Sequence, residues 1–130
     1  MLVVWFVGFA VAAEPEATIE AALQACLGKP EGQSTVGMIA CTTTATEAWD
    51  TELNRVYGAL MSELDADGQK KLKAAQRAWV AFRDLDRAQL GAEAVQLDGT
   101  LYRLNAASEA LSLTRERALQ LGRRLAWLEP

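Results

Sequence analysis

Apolar residues recur at intervals of three and four positions along most of the chain, which is the spacing of one face of an α-helix. Only three prolines interrupt the 130 residues, so long stretches run without a helix breaker. Alanine, leucine, glutamate, glutamine and arginine, all good helix formers, fill many of the other positions. The pattern predicts an all-α fold, a small antiparallel bundle of about four helices.

The first two predicted helices are joined by a loop rich in glycine and proline. The first covers residues 17–28, with Thr18 as its N-cap, and the loop follows at residues 28–32. The second covers residues 35–64. Its predicted apolar face consists of Met38, Cys41, Ala45, Trp49, Leu53, Val56, Leu60 and Leu64.

A run of threonines within the second helix predicts an irregularity. Thr42, Thr43 and Thr44 are β-branched and lose side-chain freedom inside a helix. Thr44 and Glu47 also have the spacing of a capping box, which marks helix starts. We therefore expect the second helix to bend or restart near residue 44.

The third and fourth predicted helices are the longest remaining periodic stretches. The third covers residues 66–95 and is capped by Asp65 or Asp67, and the fourth covers residues 100–127 after a turn at residues 98–99. Short loops between long helices predict antiparallel packing of neighbours. The expected buried positions are Leu72, Ala75, Trp79 and Phe82 in the third helix, and Leu104, Ala107, Leu111, Thr114, Ala118, Leu121, Leu125 and Leu128 in the fourth.

The chain begins with an uninterrupted apolar run from Leu2 to Ala12. This run has the length of a signal-peptide core and is too short for a comfortable membrane span, although no Lys or Arg precedes it. Small residues at positions 10–13 resemble a cleavage site. We predict a signal peptide over residues 1–13, a mature helical domain over residues 14–130 without a stable membrane span, and export to the periplasm or the medium.

Two cysteines, Cys26 and Cys41, are the only ones in the chain, and an even pair in an exported protein usually forms a disulfide. The bond would close a loop of 16 residues (41 − 26 + 1) and staple the first helical hairpin. Such a loop stabilises a fold by about 3 kcal/mol in the chain-entropy model. The spacing is not that of a C-x-x-C redox motif, and two thiols alone make a poor zinc site.

The absence of histidine restricts the chemistry available to the chain. It removes the commonest general base and metal ligand, and excludes a Ser–His–Asp or Cys–His site. Of two short carboxylate pairs, residues 65 and 67 lack the further ligands of a calcium loop. Paired carboxylates can cleave glycosides, but nothing distinguishes either this pair or residues 84 and 86 from helix-capping residues. We predict neither an enzyme nor a cofactor or metal site.

The net charge of −4 is unevenly distributed. Residues 14–68 contain ten acidic and two basic residues, a charge of 2 − 10 = −8, whereas the remainder contains eleven basic and seven acidic residues, a charge of 11 − 7 = +4. The acidic half suits a cationic protein partner and argues against nucleic acid. The alternative is that these charges form ordinary solvated helix faces.

A set of polar and aromatic residues at fixed spacing follows the cysteine pair, whose members are separated by fourteen residues. These framework positions are Trp49, Asp50, Leu53, Asn54, Tyr57, Gln76, Arg77, Trp79, Phe82, Arg83 and Asp84. The set resembles the lysozyme inhibitor LprI-like N-terminal domain family of small exported bacterial envelope proteins, over about residues 26–121. The stretch at residues 113–117 is similar to the last helix of that family.

The resemblance implies a helical, exported fold and inhibition of lysozyme. Its polar positions predict an interhelical network, and the alternative is that they line a surface groove. The aromatic positions are expected in the core. Family members often have a second cysteine pair, and here its place is taken by residues that include Arg87 and Glu109. We hypothesise an ion pair between these two side chains.

Together these observations predict an extracytoplasmic binding protein that inhibits a cationic lysozyme by occluding its cleft. The alternative is a structural or interaction protein of the cell envelope with no lysozyme-related activity. The candidate partner contacts are the exposed acids Glu31, Glu47 and Glu63 and the loop at residues 29–35. They are chosen because of their charge and expected exposure.

Overall fold

The computed structural model describes residues 14–129, which form four α-helices and one short 3-10 turn. The helices are α1 (Pro15–Gly28), α2 (Thr35–Glu63), α3 (Ala66–Leu97) and α4 (Thr100–Leu128), and the 3-10 turn (Pro30–Gly32) lies between α1 and α2. The predicted all-α bundle of four helices is confirmed. The predicted signal peptide lies outside the described residues.

Side-chain caps mark the start of α2 and of α3. Asp65 caps α3, because its Oδ1 accepts a hydrogen bond from the backbone N–H of Gly68 at 2.8 Å, as predicted. Ser34 caps α2 in the same way. The prediction that Thr18 caps α1 is wrong. The helix begins earlier, at Pro15, whose missing N–H is harmless at the first helical position, and the Thr18 hydroxyl donates to the carbonyl of Glu14.

The α2 helix continues through its threonines without a restart, so the expected restart near residue 44 is wrong. Thr42, Thr44 and Thr46 each donate their hydroxyl to the carbonyl four residues earlier, at 2.8 to 3.1 Å. Thr42 and Thr46 are also buried. Tertiary packing therefore outweighs the weak helix propensity of this stretch.

The core lies mainly between α2 and α4. Consecutive helices are joined by tight turns and run antiparallel, so α2 and α4 run parallel to each other. The C-terminal halves of α2 and α4 both pack against Leu72, near the start of α3. The predicted apolar face of α2 is confirmed, and that of α4 is confirmed except at its end, where Leu128 is exposed. The buried core cluster consists of Trp49, Leu53, Val56, Leu60, Leu72, Ala118, Leu121 and Leu125.

The disulfide between Cys26 and Cys41 is present and joins α1 to α2, with a Cα–Cα distance of 5.7 Å. The α1 helix has no fully buried residue, and Ile19 is the residue of α1 that packs against the core. The covalent bond therefore supplies much of what holds α1 against the rest of the bundle.

The α3 helix packs against α4 more extensively than against α2. Of its four expected core positions, Leu72 is buried and Trp79 packs against the core. The expectation is wrong for Ala75, which is exposed, and for Phe82, which is 55% exposed. The reason is that the polar side chains of Gln76 and Arg83 take the inward positions and bond to the neighbouring helices.

Candidate functional site

The apolar members of the sequence framework mostly hold the bundle together. Trp49 and Leu53 belong to the core and are 3% and 1% exposed. Tyr57 and Trp79 are half-buried and pack against that core. Phe82 is the exception, since its ring is exposed.

Arg83 joins α2 to α3 through a charged cluster. Its guanidinium lies 3.6 Å from the carboxylate of Asp50 on α2 and 3.0 Å from that of Asp84. The same group lies 5.4 Å from the centroid of the Trp79 ring, a cation–π contact. The Arg83 side chain is 19% exposed, so the cluster is partly desolvated. A framework ion pair thus bridges the two helices.

A second polar link joins α3 to α4. Arg117 donates to Gln76 of α3 at 3.0 Å and to Gln120 of its own helix at 2.5 Å. Arg117 is 9% exposed, and its Nη2 has no hydrogen-bond partner among the described residues. Burial, together with the nearby charge of Arg124, lowers the pKa of Arg117 from its ordinary value. The hydrogen bond between α3 and α4 therefore requires a charged group that is buried and only partly hydrogen-bonded.

The hypothesised ion pair between Arg87 and Glu109 is wrong. The two side chains form no ion pair within 4.0 Å in the part of the chain that the structure describes. Arg87 instead donates to the hydroxyl of Thr114 at 3.3 Å, and this hydroxyl donates in turn to the carbonyl of Ala110. Thr114 is completely buried between α3 and α4, whereas Glu109 is exposed.

Two grooves lie between α2 and α3, because these helices pack loosely. The larger has a volume of about 580 Å³ and the smaller about 340 Å³. The sequence left open whether the polar framework residues form an interhelical network or line a groove. The structure shows both, since these residues bond between helices and line the two grooves. The larger groove is lined by Thr43, Thr46, Glu47, Asp50, Thr51, Arg83, Arg87, Ala107 and Ala110, and the smaller by Asn54, Tyr57, Lys73, Gln76, Arg77 and Val80.

The walls of the larger groove carry opposite charge, whereas the smaller groove has basic side chains on its α3 wall and the uncharged Asn54 and Tyr57 on its α2 wall. In the larger groove, the α2 side contributes the carboxylates of Glu47 and Asp50, and the α3 side contributes two arginines. Arg83 and Arg87 are already bonded to protein partners. Glu47 is exposed and forms no ion pair with any described residue. The rim of the larger groove is thus acidic on its α2 side.

The stapled loop, residues 28–34, is a tightly packed projection at one end of the bundle. Gly32 is buried, and a Cβ atom at this position would collide with the carbonyl oxygen of Cys26. A Cβ atom at Gly37 would collide with the carbonyl oxygen of Glu31. The side-chain amide of Gln33 donates to the carbonyl of Leu27. With the disulfide at its base, we expect this exposed loop to be rigid.

The three candidate contact acids are all exposed, and none forms an ion pair with a described residue. They do not lie together. Glu31 is in the stapled loop, whereas Glu63 is the last residue of α2. Glu47 and Glu63 are separated by about 24 Å along α2 and by about 160° around it. A flat contact surface therefore cannot include all three carboxylates.

The interhelical partners Thr114 and Arg117 were missed as functional positions by sequence reasoning. Thr114 was assigned to the apolar face of α4 because of its spacing alone. A hydroxyl or guanidinium at a position predicted to be buried indicates an interhelical hydrogen bond, since a buried polar group needs a partner on the helix that it faces. What the sequence lacks is the identity of that partner.

Neither a metal-binding cluster nor a membrane span is found over residues 14–129. No group of three or more Cys, Asp or Glu side chains in this range is placed to hold a metal ion. No helix in this range is both long and apolar enough to cross a membrane.

Comparison with known proteins identifies a structural relative and a family. A solved structure of an uncharacterized protein from Burkholderia thailandensis superposes with a TM-score of 0.78 at 31% sequence identity. The alignment covers 90% of this chain but only 56% of that one, so this chain spans little more than half of its relative. No curated protein matches. The model of the family named lysozyme inhibitor LprI matches residues 26–121, and the chain therefore belongs to this family.

Proposed function

We propose that the chain is an extracytoplasmic protein-binding domain that inhibits a cationic lysozyme by occluding the cleft of the enzyme. The observation that carries this proposal is membership of the lysozyme inhibitor LprI family over residues 26–121. The apolar N-terminal run, the disulfide and the charge distribution support an exported protein with a basic partner.

Electrostatics favours an encounter through the acidic half of the chain. Residues 14–68 carry a charge of 2 − 10 = −8. Several acids of this half are engaged by basic side chains, among them Glu16 by Arg115 and Glu52 by Arg55. Glu31 and Glu47 have no such partner among the described residues. Charges of this kind accelerate association and lose their effect as salt is added.

The shape of the molecule supports the proposal that the stapled loop is the occluding element. An enzyme cleft is concave, so it accepts a projection and not another groove. The grooves between α2 and α3 are concave, whereas the stapled loop projects from the bundle end and carries Glu31. Because the loop is expected to be rigid before binding, binding orders few additional groups and loses little conformational entropy. We assign Glu31 to the contact and leave Glu63, about 40 Å away at the far end of α2, outside it.

The test measures lysis of a cell-wall suspension by lysozyme in the presence of the folded, oxidised protein. We expect dose-dependent inhibition that weakens at high salt. Glu31→Gln should raise the concentration for half-inhibition about tenfold, the equivalent of about 1.4 kcal/mol. Glu63→Gln removes the same charge from the other end of α2 and is the matched control. It should leave that concentration nearly unchanged.

Two results would contradict parts of this proposal. Equal effects of the two substitutions would mean that net charge alone steers binding, and would remove the stapled loop from the contact. No inhibition at a large excess of folded protein over enzyme would reject the inhibitor function. The remaining candidate would then be an interaction protein of the envelope, to be identified through its partner.

A further inference from the structure

The α3 helix carries a second apolar stripe on the side facing away from the bundle. The positions alternate at spacings of four and three over 22 residues (95 − 74 + 1), the period of a coiled-coil seam. We call this stripe the outer face of α3. It consists of Ala74, Ala78, Ala81, Leu85, Ala88, Ala92 and Val95.

Every residue of the outer face of α3 is exposed. Leu85 and Val95 are 72% and 74% exposed, and Phe82, beside the stripe, is 55% exposed. At about 100° per residue, the stripe is centred about 180° from the inward positions Leu72 and Trp79. The helix is therefore apolar on two opposite sides, of which the described part of the bundle covers one.

An exposed, continuous apolar stripe that includes the large side chains Leu85 and Val95 is a candidate interaction surface. Five of the seven outer positions are alanines, and small side chains let two helix backbones approach closely. The stripe is about 32 Å long at 1.5 Å per residue. A second helix with the same spacing is the surface that fits it best, because knobs of one stripe then enter holes of the other.

The charges beside the stripe identify that second helix. Arg77 and Asp84 lie on the same side of the outer face, seven residues or two turns apart. In an antiparallel pair of identical helices with a two-fold axis near residue 80, Arg77 of each copy meets Asp84 of the other. A parallel pair places Arg77 near Phe82 and forms no such ion pair. Flanking charges of this kind set helix orientation and partner choice.

We infer that α3 pairs through its outer face with the α3 helix of a second copy of this chain, in antiparallel orientation. The residues are available for this role. Arg77 forms no ion pair with a described residue, and Asp84, whose side chain is 63% exposed, uses only Oδ1 to accept from Arg83. In this arrangement, the exposed Ala75 of one copy covers the ring of Phe82 of the other.

The first experiment measures molecular mass against protein concentration by sedimentation equilibrium. We expect a reversible dimer that Leu85→Glu abolishes, because it places a charge within the seam. Val36→Glu is the matched control, since Val36 is 71% exposed on α2 and lies outside the stripe. Both variants should retain the circular dichroism of the parent. A parent that is monomeric at every concentration, or a dimer that survives Leu85→Glu, would overturn the inference.

A charge exchange then tests the antiparallel arrangement. Arg77→Glu alone and Asp84→Arg alone should each weaken the dimer, because each places like charges opposite one another. The double variant Arg77→Glu/Asp84→Arg restores opposite charges across the two-fold axis and should recover most of the association. If the double variant is weaker than either single variant, these residues do not face each other.

Helix orientation is measured directly with a spin label at Gln96→Cys, an exposed position near the end of α3. Antiparallel pairing about residue 80 separates the two labelled backbones by about 50 Å, whereas parallel pairing brings them within about 10 Å. The short distance would overturn the antiparallel arrangement. A stable complex with a different protein that Leu85→Glu also abolishes, without any dimer of the parent, would assign the face to that protein instead.

Discussion

Single buried polar residues join the helices of this protein, and burying them costs free energy. Arg117 is the clearest case, because its guanidinium is buried, bonds to Gln76 and leaves Nη2 without a described partner. Its pKa is lowered by burial, so folding is disfavoured while the group is protonated. This cost is constant over acidic and neutral pH and is relieved only as the pH rises past the pKa of the folded state.

We predict that Gln76→Ala destabilises the fold by about 1–3 kcal/mol, because it deprives a buried guanidinium of an acceptor. The double variant Gln76→Leu/Arg117→Met removes both polar partners. It should lose less stability than the sum of its two single variants. The measurement is urea unfolding followed by circular dichroism. Arg123→Met, on the exposed side of α4, is the control and should change stability by less than about 0.5 kcal/mol. Strict additivity would show that the two residues do not interact.

At the scale of the helices, α1 differs from the others because it has no fully buried residue. It is held by the disulfide, by Ile19 and by an ion pair between Glu16 and Arg115 at 2.9 Å. Both partners of that ion pair are 45% exposed, and exposed pairs stabilise by about 0–1 kcal/mol. We therefore expect the covalent bond to contribute a large share of the attachment of α1 to the bundle.

We predict that Cys26→Ser/Cys41→Ser lowers the free energy of unfolding by about 3 kcal/mol, the chain-entropy value for this loop. Hydrogen exchange should show the amides of α1 losing protection first, while those of α2 and α4 remain protected. Reduction of the parent protein is the matched control and should give the same pattern. Unchanged protection of α1 without the disulfide would mean that its side-chain contacts are sufficient.

The whole molecule is organised around the parallel pair of α2 and α4, with α1 and much of α3 at its periphery. The fully buried side chains Leu53 and Leu121 belong to this pair, together with the buried Thr114. The second half of α3 has one buried residue, Ala94, and several exposed apolar ones. Stability is therefore expected to be unevenly distributed.

We predict that amides at residues 45–60 and 114–125 exchange hydrogen only through global unfolding, whereas amides at residues 85–97 exchange through local opening at lower free energy. Native-state hydrogen exchange measures these opening free energies. We would use the monomeric Leu85→Glu variant, because pairing of two copies through α3 would protect the amides at residues 85–97. Equal protection of all four helices in that variant would mean that α3 is as firmly held as the central pair.

Much of the fold could be predicted because helix formation here is encoded locally. The predicted helix ends lie within about two residues of those observed, and the apolar faces of α2 and α4 were correct, because each has one dominant stripe. The cap of α3 was narrowed to Asp65 or Asp67 for the same local reason, and the structure shows that it is Asp65. The position of Phe82 could not be predicted, since α3 has apolar residues on two opposite sides and spacing does not say which side faces inward.

The sequence by itself determined the helical class, the helix boundaries, the cysteine pair and the uneven charge, because these depend on neighbours within a few positions or on residue type alone. Only the tertiary structure decided that α2 and α4 pack together, that Arg87 bonds to Thr114 and not to Glu109, and that Arg117 is buried against Gln76. These pairings join residues far apart in the chain. They depend on the rotation and separation of whole helices, which are set by the packing of all four together.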